Sequence, residues 1–230
     1  MHIVVHTGRD DWASRIEEDE EKPNIAKELK ALLGPKGKFY EATSGSVMIS
    51  NCSSGPAGSV TIFPEGRSFS GLRDYEGVYH DFVRMLLVPE DLRVEAPGKL
   101  PFKDHSSGEN ITILICGHNA RDSRCGIMGP LLRDEFKAQS KKSVHERSGW
   151  EPDVSLISHI GGHAFAGNII IYFPSTWTKH PLAGKGIWYG RVEPKHVEGI
   201  LRETVTKGVI IEELFRGGLD LDGRLLKLGQ

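Results

Sequence analysis

The sequence predicts an α/β chain built from two similar halves, each reading β-α-β-β-α. Three observations carry this. Two Ile/Val-rich segments open alike, Ile3-Val4-Val5-His6 and Ile111-Thr112-Ile113-Leu114-Ile115-Cys116, and each passes through a polar loop into a helical pattern. Two later strands end in the same dipeptide, Val60-Thr61-Ile62-Phe63-Pro64 and Ile169-Ile170-Ile171-Tyr172-Phe173-Pro174. A helix then closes each half.

In the first half, Ile25, Leu29, Leu32 and Leu33 recur at helical spacing, and the next strand runs from Val47 to Asn51. The closing helix is expected over Tyr75 to Leu87. In the second half the helical stripe is Met128, Leu131, Leu132 and Phe136, followed by a strand from Val154 to His159. Its closing helix runs from Pro194, suited to a first helical turn, to Thr206. Gly- and Pro-rich sequence from Pro97 to Gly108 reads as the linker. Two small sandwiches of the thioredoxin type are expected, residues 1–100 and 101–230. The halves differ at one place. His6 and Asn51 stand where the second half has Cys116 and His159, and Gly55 falls near the place of His163. The N-terminal half is therefore expected to be a degenerate scaffold and the C-terminal half to carry the chemistry.

Composition narrows the function. With 29 basic and 31 acidic residues, the formal charge of −2 gives no electrostatic reason to expect nucleic acid as a partner. The acidic run from Glu17 to Glu21 reads as a solvated helix face. No apolar stretch reaches membrane-spanning length, so no insertion is expected. The N-terminus reads at once as a strand, with neither a basic leader nor an amphipathic presequence. Three cysteines are too few for a disulfide-stapled secreted domain, which favours a reducing compartment and cysteines used as ligands or redox thiols.

Four residues form the candidate site: Cys116, Cys125, His159 and His163. Cys116 ends a strand, Cys125 precedes a helix, and the two histidines flank Ile160-Gly161-Gly162 at the end of the next strand. A helix start favours thiolate over thiol, and the glycines permit a tight loop. Two sulfurs and two imidazoles suit tetrahedral zinc or a 2Fe-2S cluster. The eight intervening residues between the cysteines are wide for a zinc finger, but the residues alone leave zinc level with iron. His118, beside Cys116, reads as a solvated loop residue, with support of the ligands as the alternative. Arg121 and Arg124 suit surface charges or a contact with an acidic redox partner. Trp188 to Arg191 reads as core packing, Gly184-Lys185-Gly186 as a plain loop, and Cys52 as a small loop residue.

At these residues the chain resembles the thioredoxin-like 2Fe-2S ferredoxins, in particular the sucrase/ferredoxin-like family. The matching segments are Leu114-Ile115-Cys116-Gly117-His118, Cys125-Gly126, Ser158-His159-Ile160-Gly161-Gly162-His163-Ala164-Phe165-Ala166-Gly167-Asn168, and Trp188-Tyr189-Gly190-Arg191-Val192. Thr7-Gly8 to Trp12 and Phe63-Pro64 also match. The resemblance implies a 2Fe-2S cluster with Cys116 and Cys125 on one iron and His159 and His163 on the other. It also implies a mitochondrial location, matrix or intermembrane space, with the cytoplasm as alternative.

Such a site suits an electron carrier or redox sensor rather than an enzyme with its own substrate pocket. Imidazole in place of thiolate removes negative charge, so an intermediate to high potential is expected, coupled to protonation of the outer ring nitrogens. The alternatives are a structural zinc module and a thiol-disulfide enzyme, the latter weakened by the lack of Cys-x-x-Cys. The redox partner and oligomeric state are not specified by the sequence.

Overall fold

The computed structural model describes residues 1–20, 22–43, 47–72, 77–93, 102–105, 108–146, 151–161 and 166–226. The first half comprises β1 (His2–His6), α1 (Ile25–Leu33), β2 (Met48–Cys52), β3 (Val60–Phe63), β4 (Arg67–Ser70), α2 (Val78–Phe82) and β5 (Lys103–His105). The second comprises β6 (Thr112–Cys116), α3 (Ser123–Glu146), β7 (Asp153–Ile157), β8 (Ile169–Tyr172), β9 (Gly186–Tyr189), α4 (Val197–Ile200) and β10 (Phe215–Leu219). Wider π-helical turns extend α2 over Val83–Leu87 and α4 over Leu201–Thr206. Asn24 starts α1: its side chain accepts from the Lys27 amide at 2.9 Å and donates to the Ile16 carbonyl at 2.8 Å.

All ten strands form one sheet in the order β10-β9-β8-β6-β7-β2-β1-β3-β4-β5. β1 pairs parallel with β2 and antiparallel with β3, and β6 pairs in the same two ways with β7 and β8. The α/β class is as expected. Each half carries two more strands than its sequence suggested: β4 and β9 extend the ladders, and β5 and β10 form the edges. Lys103–His105, read as linker, pairs with β4. The rest of the expected linker falls largely outside the described residues.

Alternation along the strands divides the interior. Ile3 and Val5 of β1 pack with Leu29, Leu33 and Phe82 of the first helical layer. Ile113 and Ile115 of β6 pack with Leu132, Phe136 and Ile200 of the second. Leu131, expected in that stripe, is exposed, whereas Leu132 and Phe136 are buried and Met128 packs against them in part. The opposite sheet face buries Val4, Phe63, Leu114, Ile170 and Tyr172 together. Four strands separate β3 from β8 in the sheet, yet the Phe63 and Tyr172 rings stack at 4.1 Å. The sheet must therefore coil strongly, so that residues of both halves close one shared core on its concave side. The acidic run is not wholly solvated either. Asp19 turns inward, accepting from Arg9 at 2.7 Å and from the Ala13 amide at 3.0 Å.

His2 sits in that shared core, bonded to the Tyr172 hydroxyl at 2.8 Å and to Ser50 Oγ at 3.0 Å. Burial, with a smaller push from the neighbouring terminal amine, lowers its pKa from 6.5 to about 3. The unfolded chain therefore takes up a proton before the folded one does. The contribution of His2 to stability is complete above pH 6.5 and is lost as pH falls towards about 3. Urea midpoints measured across that window should fall with pH. The His2→Gln variant should show a slope shallower by one proton, about 1.4 kcal/mol per pH unit.

Candidate metal centre

Cys116 is the last residue of β6. Its amide donates to the Asn168 carbonyl at 2.9 Å, and the Gly117 amide donates to the Ile157 carbonyl at 3.0 Å. The loop that follows closes on itself, with the Asp122 amide on the His118 carbonyl at 3.0 Å. Asp122 then caps α3: its carboxylate accepts from the Arg124 amide at 3.0 Å and from the Arg124 guanidinium at 2.7 Å. Cys125 is thereby held in the first helical turn. The helix approaches the strand end closely because Gly129 lacks a side chain. A Cβ there would lie 2.6 Å from the Gly117 Cα and 2.7 Å from the Cys116 carbonyl oxygen.

His159 follows β7 by two residues. One donor atom each from Cys116, Cys125 and His159 lie within 4.8 Å of one another, with Cys116 Sγ and His159 Nδ1 at 3.7 Å. Both cysteines are buried. Hydrogen bonding from the Cys125 thiol, with help from His159 and the His118 main chain, outweighs burial and draws the Cys116 thiol down to about 5. The same contact, with burial, pushes the Cys125 thiol up. Cys116 is thus held in the thiolate form that a metal needs. Two soft sulfurs beside an imidazole fit zinc or iron-sulfur chemistry and not a hard cation such as calcium or magnesium. His163, the fourth expected ligand, lies outside the described residues.

Around these donors the structure departs from the sequence reading at His118, which is buried rather than solvated. Its Nδ1 accepts from the His159 amide at 3.1 Å, and its Nε2 reaches the carbonyls of Trp12 and Ala13 at 3.1 and 3.0 Å. Asn168 steadies the other end of the short loop: its side chain donates to the Gly161 carbonyl at 3.5 Å and accepts from Arg216. The sequence alone favours a solvated His118 and gives Asn168 no role, since each acts on main-chain groups that leave no pattern in side-chain types. The N-terminal half also reaches the site through Asp11, whose carboxylate accepts from the Ala120 amide at 3.2 Å, and through Asp10, paired with Arg133 at 3.0 Å.

The remaining candidates separate cleanly. Arg121 is exposed, while the charge of Arg124 is engaged by Asp122. Trp188 and Tyr189 belong to β9, and the buried Tyr189 hydroxyl meets Thr204 Oγ1 at 2.7 Å, as core packing requires. Lys185 donates to the Pro181 carbonyl at 3.0 Å within its own turn. Cys52 is a buried strand residue rather than a loop one, and burial pushes its thiol up. A cleft of about 830 Å³ has His6, Cys52, Ser54, Thr61, His105 and Asp153 among its lining residues, and the three donors do not line it.

The ladders also correct the correspondence between halves. His6 pairs with Cys52 as Cys116 pairs with Ile157, so the counterpart of His159 is Ser54, not Asn51. His6 Nδ1 and the Ser54 carbonyl stand 2.6 Å apart where the second half places Cys116 against His159.

The sucrase/ferredoxin-like family matches residues 1–217. Altered inheritance of mitochondria protein 32 from Debaryomyces hansenii is 46% identical over 146 residues, covering 64% of this chain and 47% of that protein. Its namesake from Clavispora lusitaniae is 42% identical over the same length and coverage. A Saccharomyces cerevisiae protein of that name is 39% identical over 111 residues, 47% of this chain and 32% of its own length. The aligned segments thus span half or less of these relatives' own length. Among solved structures, a thioredoxin-like 2Fe-2S ferredoxin from Aquifex aeolicus aligns with 47% of this chain and 91% of its own, at 14% identity and a TM-score of 0.36.

The close approach of α3 to β6 gives a direct test. Gly129→Ala should destabilise the fold by about 1–3 kcal/mol, although alanine is the better helix former, because the added methyl meets the main chain of Cys116 and Gly117. Thermal or urea melts of the variant read this, and a melt at or above the wild-type value would contradict the packing described.

Proposed function

The chain belongs to the sucrase/ferredoxin-like family, and from that premise we propose that it is an electron carrier or redox sensor built around a 2Fe-2S cluster. Cys116, Cys125, His159 and His163 are the proposed ligands. The observation that supports this reading is the convergence of the first three, within 4.8 Å, at facing strand ends. When bound, the cluster would supply a one-electron couple. The thiolates would hold one iron and the imidazoles the other, and residues 1–100 would serve as the scaffold of the bearing half, 101–230. The outer ring nitrogens of the histidines would carry the protons coupled to reduction. The relatives' printed name connects them with mitochondria, and on that ground the protein is assigned to that organelle.

The 3.7 Å separation of Cys116 Sγ and His159 Nδ1 favours a second reading. A tetrahedral ion with bonds of about 2.0–2.3 Å sets its donors roughly 3.5–3.8 Å apart. Donors on opposite irons of a cluster stand farther apart. One zinc ion in an interaction module would fit the donors as they stand, whereas the cluster reading needs the His159 ring to swing away from Cys116.

Protein purified without oxygen distinguishes the two. A coloured protein with iron and acid-labile sulfide in equal amounts supports the cluster, and a colourless, zinc-loaded one sinks it. Under the cluster reading, His159→Cys should keep iron and lower the potential, from the range of about −150 to +300 mV seen with two histidines towards about −400 mV. A potential that does not change between about pH 6 and about pH 10 would remove the proton coupling.

A further inference from the structure

His118 joins the candidate centre to the opposite half of the molecule. A main-chain amide can only donate and a carbonyl can only accept. The partners of the ring therefore fix its state: bare Nδ1 towards His159, and Nε2–H towards Trp12 and Ala13. The seat is rigid. The Trp12 ring meets His118 edge-on at 5.7 Å, and its indole N–H donates to Thr7 Oγ1 at 2.8 Å. Thr7 Oγ1 donates in turn to the Cys52 carbonyl at 3.1 Å, at the end of β2. Hydrogen bonds made by the side chain and the main chain of Trp12 thus link the first half's sheet, through His118, to the main chain of His159. Both ends of the ring are bonded and the side chain is 1% exposed, so no solvent can replace either contact.

We propose that His118 is the positioning residue of this centre: it holds the His159 main chain so that the imidazole faces Cys116 and Cys125, and it is itself held by the N-terminal half. The proposal rests on the metal reading above, with cluster or zinc, and it gives residues 1–100 a part in the site beyond that of scaffold. Other contacts fix the remainder of the loop. Asn168 takes the Gly161 carbonyl, and the Ser158 amide donates to the Asn51 carbonyl at 2.9 Å. His118 bonds the His159 amide directly, from the cysteine loop.

The test uses the full chain in both metal-free and metal-loaded forms. In metal-free wild type, the His159 amide should be protected from hydrogen exchange, and the ¹⁵N shifts of His118 should report a proton on Nε2. His118→Phe can neither accept nor donate and should lose that protection. In the loaded form it should release metal to a chelator about 10- to 100-fold faster, with an altered visible or electron-spin spectrum. His118→Gln, whose amide can accept at one atom and donate at the other, should restore most of both. If His118→Phe does not fold, His118→Asn is read in its place. It keeps an acceptor but loses the reach to Trp12 and Ala13, and should show faster release. An unprotected His159 amide in wild type overturns the proposal, as does unchanged spectrum and release in the variants. A wild type that takes up neither iron and sulfide nor zinc overturns the metal reading, and the proposal with it. That failure is distinguished by appearing in wild type rather than in the variants.

Discussion

Four hydrogen bonds join the two ladders, and most of what is distinctive about the molecule depends on them. The Ser53 amide donates to the Leu156 carbonyl and the Ser158 amide to the Asn51 carbonyl, each at 2.9 Å. The Leu156 amide returns to Ser53 Oγ at 3.0 Å and the Asn51 amide to Ser158 Oγ at 2.9 Å. The four bonds are related by an approximate twofold axis normal to the sheet, because Ser53 and Ser158 occupy matching positions in the two ladders. Only one residue pair, Cys52 with Ile157, is in register at this joint. Such a narrow seam lets the sheet coil through it. The coil brings β3 and β8 together, stacks Phe63 on Tyr172, and buries His2 against both. The halves therefore share a core as well as an edge, and neither buries its concave face alone.

The same joint positions the candidate centre. Ser158 is fixed at the seam and His159 is the next residue, so the ligand loop leaves the sheet where both halves can reach it. Three separate contacts from the first half then meet the cysteine loop and the helix after it: Asp11 on the Ala120 amide, Asp10 on Arg133 of α3, and the Trp12 and Ala13 carbonyls on His118. Exposed ion pairs contribute little, roughly 0–1 kcal/mol each. The buried His118 contacts carry more weight, because removing the ring leaves three main-chain groups unsatisfied. In the first half, the position of Cys116 is held by a histidine bonded to Ser54 and, at 2.8 Å, to Thr61. Its ring nitrogens are thus engaged by protein groups, and among the described residues the converging soft donors lie in the second half.

Much of this was legible in the sequence. The central strands announce themselves as Ile/Val runs, and the Phe-Pro ends and helical stripes located both halves. The additional strands were not legible. Arg67–Ser70 and Lys103–His105 are short and mostly polar, and Phe215–Leu219 contains two glycines, so none has the composition of a strand. Pairing with an existing edge makes them strands, and pairing is not written locally. Cys116, Cys125 and His159 stood out because soft donors at strand ends are chemically conspicuous. His118 did not, because a histidine in a polar loop looks solvated until its partners are known. Those partners are backbone carbonyls 105 or more residues away. The Asn51 correspondence failed for a related reason. Register comes from ladder pairing, and a shift of three residues between the halves moved the counterpart of His159 to Ser54.

The way His159 is held bears on which metal chemistry the site can support. His118 and the seam grip the main chain at residues 158 and 159, and Asn168 grips it at 161. The imidazole is held as well, with its Nδ1 3.7 Å from Cys116 Sγ. Turning the ring about its side-chain torsions would break that contact while leaving the main-chain bonds of the loop in place, at lower cost than moving a bonded loop. In the orientation described, Nδ1 lies close enough to Cys116 for both to serve one ion. Turned away, the same ring would leave room between sulfur and nitrogen for two irons. The compact and the extended arrangement thus differ by the rotamer of His159, on a loop whose main-chain bonds and whose joint between the halves stay in place. The proposed cluster and the zinc ion call for different orientations of one ring on one fixed loop.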